Sequence, residues 1–163
     1  MSESYLIVVY IRIDAKMGSE NEMEMFSVKM VSWYEAELLL RAVREAVFMN
    51  EQGVSQELEW DGLDTQCYHC LAISNKGEAI GCGRMTPDAH IGRMAVLRGW
   101  RGKKVGTEIL ELLLEEARKR SYPAVELSAQ LHALPFYRHF NFVEEGELYM
   151  DAGIPHRKMR LHF

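Results

Sequence analysis

From Phe26 onward the chain alternates short β-prone runs with two stretches whose apolar residues recur at helical spacing. Phe26 to Val31 is rich in β-favouring residues and predicts a short strand. Ser32-Trp33-Tyr34-Glu35 fits a capping box, in which the serine accepts a backbone N–H bond and the glutamate reaches back. Ala36, Leu39, Leu40, Val43 and Val47 then repeat with helical period, which predicts an amphipathic helix over Trp33 to Met49. Tyr68 to Ser74 and Ala79 to Met85 read as a hairpin joined through Asn75-Lys76-Gly77. After a Pro87-Asp88 turn, Ile91 to Leu97 is almost entirely apolar from Met94 on, as expected of a central strand buried on both faces. A strong helix is expected over Gly106 to Arg120, with Ile109, Leu112, Leu113 and Ala117 buried and Glu115/Lys119 and Glu116/Arg120 paired on the surface. Ala124 to Ser128, Phe142 to Tyr149 and His156 to His162 read as strands, and Leu134 to Phe140 as a short helix.

Strands and helices in this mixed order predict one α/β domain built on a mixed, largely antiparallel central sheet flanked by helices. The domain is expected to span residues 26–163. Residues 1–25 stand apart: Tyr5 to Ile13 is β-prone, and the polar stretch after it reads as a linker. This segment is either an extra strand or, with translation starting at Met23 or Met25, no part of the protein. Between the first helix and the hairpin lies a long polar segment, Asn50 to Gln66, carrying Glu57, Glu59, Asp61 and Asp64. Loops of this length are usually functional. Its acids read either as a solvated surface or as a means of selecting a cationic amine.

Composition narrows the function classes. The 163 residues suit a single domain, and a formal net charge of −5 argues against a nucleic-acid partner. The apolar run Tyr5 to Ile11 is too short to cross a membrane and lacks a basic flank, so no anchor or signal peptide is expected. Cys67 and Cys70 resemble a metal-binding pair, but no second pair completes a zinc site and the segment reads as a strand. Three cysteines, an odd number, do not make a disulfide framework. These thiols are taken as structural and reduced, with a cytoplasmic location and no metal expected.

The candidate chemistry sits between the fourth predicted strand and the second helix, in Arg101-Gly102-Lys103-Lys104-Val105-Gly106-Thr107. Glycines allow a tight turn and close backbone approach to a bulky anion. The free N–H groups at the helix start face that anion, aided by the helix dipole and three basic side chains. The spacing is neither that of a Walker loop nor that of a dinucleotide fingerprint. By itself it also fits an ordinary strand-to-helix connection.

Ile91 to Thr107 resembles motif A of the GNAT N-acetyltransferase superfamily, which ends in Arg/Gln-x-x-Gly-x-Gly/Ala and binds the pyrophosphate of coenzyme A. Arg101, Val105 and Gly106 fit that motif, and Lys104 replaces its first glycine. Ala133 to Phe142 is similar to the family's A-x-x-x-Y-x-x-x-G-F ending, with Asn141 in place of glycine. Arg44 to Gln52 matches R-x-x-V-F-x-x-E-Q, and Asp151 to Met159 matches D-x-G-I-P-H-x-x-M; together these resemble the ElaA/YjcF branch.

The resemblance implies a GNAT-like fold and an acetyl-CoA-dependent N-acetyltransferase, with an amine acceptor and direct transfer in a ternary complex. Homodimers are common in the resembled family. It places Met94, Ala95 and Val96 along the pantetheine arm, Arg101 to Thr107 around the pyrophosphate, and Gln130 near the arm. It makes Tyr137 the proton donor to the departing thiolate; the other reading of Tyr137 is a core aromatic. An amine must lose a proton to attack, and Glu51 is the first candidate base, followed by His156 and His132. Glu51 alternatively pairs with Arg44, and His156 alternatively sits on a surface turn. A non-catalytic coenzyme A or acyl-CoA sensing module shares the same loop, and an acyl-transferring signal synthase shares a related fold.

Overall fold

The computed structural model describes residues 25–163; the expected Tyr5–Ile13 strand and its linker lie outside the described residues. The chain runs β1 (Phe26–Val31), α1 (Trp33–Arg44), a π-helical turn (Glu45–Glu51), α2 (Gln56–Glu59), a 3-10 turn (Asp64–Gln66), β2 (Tyr68–Ser74), β3 (Ala79–Met85) and β4 (His90–Val96). It continues with α3 (Val105–Lys119), β5 (Ala124–Gln130), α4 (Leu134–His139), β6 (Val143–Asp151) and β7 (Ile154–His162). The strands form one sheet in the order β1-β2-β3-β4-β5-β7-β6, antiparallel throughout except for the parallel pair β4–β5. This is the mixed, mostly antiparallel α/β architecture expected.

Side chains alternate across a strand, so each face of β2 and β3 meets a different helix. Leu71 and Cys82 pack under α1 against Leu40, Val43 and Val47. Cys70, Ala72 and Ile80 pack under α3 against Ile109, Leu110 and Leu113. The capping box is formed: Ser32 Oγ accepts from the Glu35 N–H, and the Glu35 carboxylate accepts from the Ser32 N–H. The buried stripes of both helices differ from expectation. Leu39 is 40% exposed, and on α3 Leu110 and Leu114 are buried while Leu112 is only partly covered. The apolar stripe of each helix is therefore rotated slightly from the one that spacing suggested. The first helix also does not run uniformly to Met49; its last turns widen into the π-helical turn.

β4 was expected to be covered on both faces, and it is not. It pairs with β5 only at His90↔Glu126 and Ile91↔Leu127, after which the two strands separate. Along β3 the register jumps from Arg84↔Gly92 to Cys82↔Ala95, so Arg93 and Met94 together stand opposite Gly83. This is a β-bulge, with Arg93 in the left-handed region at φ 51°. Bulges of this kind bend a strand and re-aim its backbone groups. The fork and the bulge leave Gly92 to Met94 and Val96 half-exposed.

The acidic segment is not a solvated loop. Glu59 and Asp64 are buried, and Asp61 lies beside them. Arg44 pairs with Glu59 and Asp64, Arg84 with Asp61 and Asp64, and Arg93 with Glu59 and Asp61. Three guanidinium groups thus balance three carboxylates, which is what allows charge to stay below the surface. Burial raises the pKa of Glu59; for Asp61, burial is outweighed by the Arg84 hydrogen bonds, which hold it at about 2. Glu57 and Asp61 are exposed, but Asp61 is held by Arg84 and Arg93.

Candidate active site

The separation of β4 from β5 opens a cleft of 490 Å³. Its floor is β4 from His90 to Val96, so the three strand residues expected along the pantetheine arm, Met94, Ala95 and Val96, do line it. Val47, Phe48 and Gln52 form one wall, carried there by the π-helical turn. π-turns of this type often occur where a helix must re-aim side chains at a functional site. The other wall holds Ser128 and Gln130 from β5, His132 and Ala133 from the following 3-10 turn, and Tyr137 from α4. Asp151, Ala152 and His156 close one end.

The anion loop leads from the floor of this cleft into α3. Gly102 has φ 73° and Lys104, the residue just before the helix, φ 67°. Lys104 therefore adopts the left-handed geometry that glycine takes without steric cost, which explains the motif glycine it replaces. Among the described residues no side chain caps α3. The N–H groups of its first turn have no acceptor within the helix and are available to an anion. A Cβ on Gly106 would stand 3.7 Å from Phe136 and Val96, so only a small residue fits beside the loop without displacing its neighbours. Lys103 lies over the Trp100 ring, 5.3 Å from its centre. Of the expected loop residues only Arg101 lines the cleft; Val105 is buried in the core, and Thr107 points elsewhere. Its side chain lines a separate depression of 660 Å³ with Glu111 and Leu114, leaving only its backbone in the first turn. The cleft, the uncapped helix and the basic loop fit a ligand made of a slender arm and a pyrophosphate.

Arg101 lines the cleft, and its Nε donates to the Val96 carbonyl at 2.9 Å. One terminal nitrogen reaches both oxygens of Glu51, at 3.0 and 2.9 Å. Glu51 is thus placed on the anion loop and is not among the cleft-lining residues. The alternative pairing of Glu51 with Arg44 does not occur either, because Arg44 turns inward to Glu59 and Asp64. Gln130 lines the cleft and exchanges two amide hydrogen bonds with Gln52, at 2.9 and 3.2 Å. The partnership of Gln52 with Gln130 was not foreseen, since the two are 78 positions apart.

Tyr137 is buried between Phe136 and Phe142 and lines the cleft. Burial pushes its pKa up, so the phenol stays protonated and acts as a donor. His156 is not on a surface turn. It lies within β7, 8% exposed, stacked on Tyr149 across the hairpin. Its Nδ1 is 2.7 Å from the Ile154 carbonyl. A carbonyl only accepts, so Nδ1 carries the hydrogen, and in the neutral ring Nε2 keeps a lone pair. None of the three cysteines lines the cleft; all are buried free thiols, and burial raises the pKa of each, Cys82 to about 12.

The family model "Acetyltransferase (GNAT) domain" matches residues 20–163. The Synechocystis protein sll0451 is 33% identical over 126 residues, covering 72% of this chain and 80% of that protein. The Bacillus subtilis N-acetyltransferase YjcF is 34% identical over 121 residues, covering 72% and 86%. Escherichia coli ElaA is 33% identical over 126 residues, covering 72% and 81%. The crystal structure of ElaA superposes with a TM-score of 0.74 at 29% identity, covering 83% of this chain and 99% of that one. The forked sheet, the uncapped helix behind Arg101 and these alignments agree: the chain belongs to the GNAT family of N-acetyltransferases, in its ElaA-like branch.

Proposed function

We propose that this acetyltransferase moves an acetyl group from acetyl-CoA directly to a primary amine while both substrates occupy the cleft. The observation that carries this reading is the pairing of a protonated phenol and an imidazole lone pair around one bulged strand. Tyr137, His156 and the Arg93–Met94 bulge all belong to the same cavity.

Acetyl-CoA supplies an activated carbonyl and a thiolate leaving group. The first-turn N–H groups of α3, with Arg101, Lys103 and Lys104, hold its pyrophosphate, and the β4 backbone from Met94 to Val96 aligns its arm, with Gln130 alongside. The Met94 N–H, re-aimed by the bulge, stabilises negative charge developing on the carbonyl oxygen. His156 Nε2 takes the proton that the amine must lose. Tyr137 donates its O–H hydrogen to the departing sulfur; its raised pKa makes a strong hydrogen bond the larger part of that contribution, since full transfer leaves a buried phenolate. A covalent cysteine route finds no support, because the three thiols are buried away from the cleft and held protonated. Free thiols also accord with a reducing, cytoplasmic setting.

The test combines binding with turnover. Calorimetry should show saturable acetyl-CoA binding that Gly106→Trp abolishes. Amines added to the complex should release thiol, and Tyr137→Phe should lower kcat on the order of a hundredfold with little change in acetyl-CoA binding. Folded wild-type protein that binds no acetyl-CoA would sink the reading.

A further inference from the structure

β6 and β7 are joined by a two-residue turn in which Ala152 and Gly153 both have positive φ, 50° and 74°. Turns of this type match the strand twist and hold a hairpin tip rigidly in register. Asp151 pairs with Ile154 and Tyr149 with His156, so all four side chains share one face. Asp151 and His156 are diagonal neighbours on that face, about 7–8 Å apart at this register. Both line the cleft.

Their chemical circumstances differ from those of the other cleft-lining carboxylate. Glu59 is 2% exposed and taken up by Arg44 and Arg93. Asp151 is exposed, and among the described residues no cationic side chain pairs with it. Among the described residues nothing neutralises this charge at the mouth of the cavity. A carboxylate held there favours an approaching cation and disfavours an anion. Asp151 is a poor partner for the reacting amine itself, since holding that group as an ammonium removes the lone pair it needs. A second cation on the same acceptor escapes this conflict.

Resting on the direct-transfer reading above, we propose that the hairpin tip is the acceptor subsite for a short aliphatic diamine. One amine reacts beside His156. The other remains protonated on the Asp151 carboxylate, a few carbons away, and the stacked Tyr149–His156 pair flanks the chain between them. The proton lost by the reacting amine passes to His156 Nε2, the new bond is an amide, and the thiolate leaves with the Tyr137 hydrogen bond.

Three amines of equal length separate charge from size: diaminobutane, butylamine and γ-aminobutyrate carry a positive, a neutral and a negative far end. With saturating acetyl-CoA, kcat/KM should fall on the order of tenfold from the first to the second and again from the second to the third. In Asp151→Asn the ratio of diaminobutane to butylamine should drop towards one; a partly unfolded variant lowers both rates equally and leaves the ratio alone. Raised ionic strength should shrink the wild-type ratio in the same direction. A preference for butylamine or γ-aminobutyrate, or a diamine preference that survives Asp151→Asn, overturns the proposal. Protein that binds acetyl-CoA but acetylates none of the three overturns it as well, while leaving transfer to peptide amines standing. Protein that binds no acetyl-CoA removes both readings.

Discussion

Arg101 presents one guanidinium nitrogen to both carboxylate oxygens of Glu51, at 3.0 and 2.9 Å, while its Nε holds the Val96 carbonyl. This contact ties the end of the π-helical turn to the end of β4, at the entrance to the anion loop. The two sides of the cleft are joined again by the Gln52–Gln130 amide pair. Both links start from the same turn, so the turn that supplies Val47 and Phe48 to the cleft is fixed from two directions.

The placement of Glu51 separates two roles for it. As a general base, its loss would cost a hundredfold or more in kcat, on the order of the usual acid–base contribution. As a partner of Arg101, its loss frees a guanidinium for the pyrophosphate. We expect Glu51→Gln to leave kcat within a few-fold of wild type and the KM for acetyl-CoA unchanged or lowered, because a half-exposed ion pair contributes about 1 kcal/mol or less. Steady-state kinetics with acetyl-CoA as the varied substrate decide it. A hundredfold fall in kcat at unchanged KM would return Glu51 to the chemistry.

Lys104 bears a strain that glycine would relieve. A residue with a Cβ pays about 1 kcal/mol to sit in the left-handed region, and Lys104 does so at φ 67°. Lys104→Gly should therefore raise the thermal midpoint by about 2–4 °C, with Lys104→Ala falling below it. If the loop binds mainly through its backbone, acetyl-CoA affinity in Lys104→Gly stays within about threefold of wild type. A tenfold loss, on the order of 1.4 kcal/mol, would assign the anion contact to the lysine charge instead.

Local pattern carried much of the fold. The capping box at Ser32 and Glu35, the hairpin turn at Gly77 and the left-handed Asn141 at φ 66° all follow from residues within four positions of one another. What local pattern could not show was where the charges of residues 57–64 find their partners. Glu59 meets Arg44 across 15 positions, and Asp61 meets Arg93 across 32. No spacing rule links such pairs, so a buried network looked like a solvated loop. The open side of β4 was hidden for a related reason: its apolar residues read the same whether β5 covers the strand or diverges from it. Glu51 lay inside a recognisable motif, yet its distance from the cleft depended on where the π-helical turn ends.

His69 gives the fold a pH dependence whose direction follows from its surroundings. It is 1% exposed, its Nε2 donates to the Asp64 carbonyl at 2.7 Å, and Arg44 and Arg84 lie in the same network. Burial lowers its pKa, so the folded state keeps it neutral where the unfolded chain, titrating near pH 6.5, takes up a proton. The unfolded state then binds more protons below that pH, and stability falls as pH falls, by at most about 1.4 kcal/mol per unit. Urea midpoints between pH 8 and pH 5 should show this decline in wild type and a flatter profile in His69→Gln. Parallel profiles would assign the slope to another group.

The bulge on β4 needs the space that Gly83 leaves. A Cβ there would come within 2.7 Å of Met94 Sδ and 2.9 Å of Ile109 Cγ2 and Leu113 Cδ1, distances at which something must shift. Ile109 and Leu113 are fully buried on α3, whereas Met94 is half-exposed at the cleft, so Met94 yields first. Gly83→Ala should cost about 1–3 kcal/mol through overpacking and should also displace the Met94 backbone that the proposed mechanism uses. Gly146→Ala is the control. It forces alanine into φ 72° on the edge strand β6, with none of the described residues within 4 Å of the new carbon, and Gly146 does not line the cleft. At a temperature well below both melting points, Gly83→Ala should lose at least tenfold in kcat, the size of a 1.4 kcal/mol loss in the transition state, and Gly146→Ala should retain wild-type turnover. Equal activities at equal stability would make Gly83 a packing residue alone and leave the bulge without its catalytic assignment.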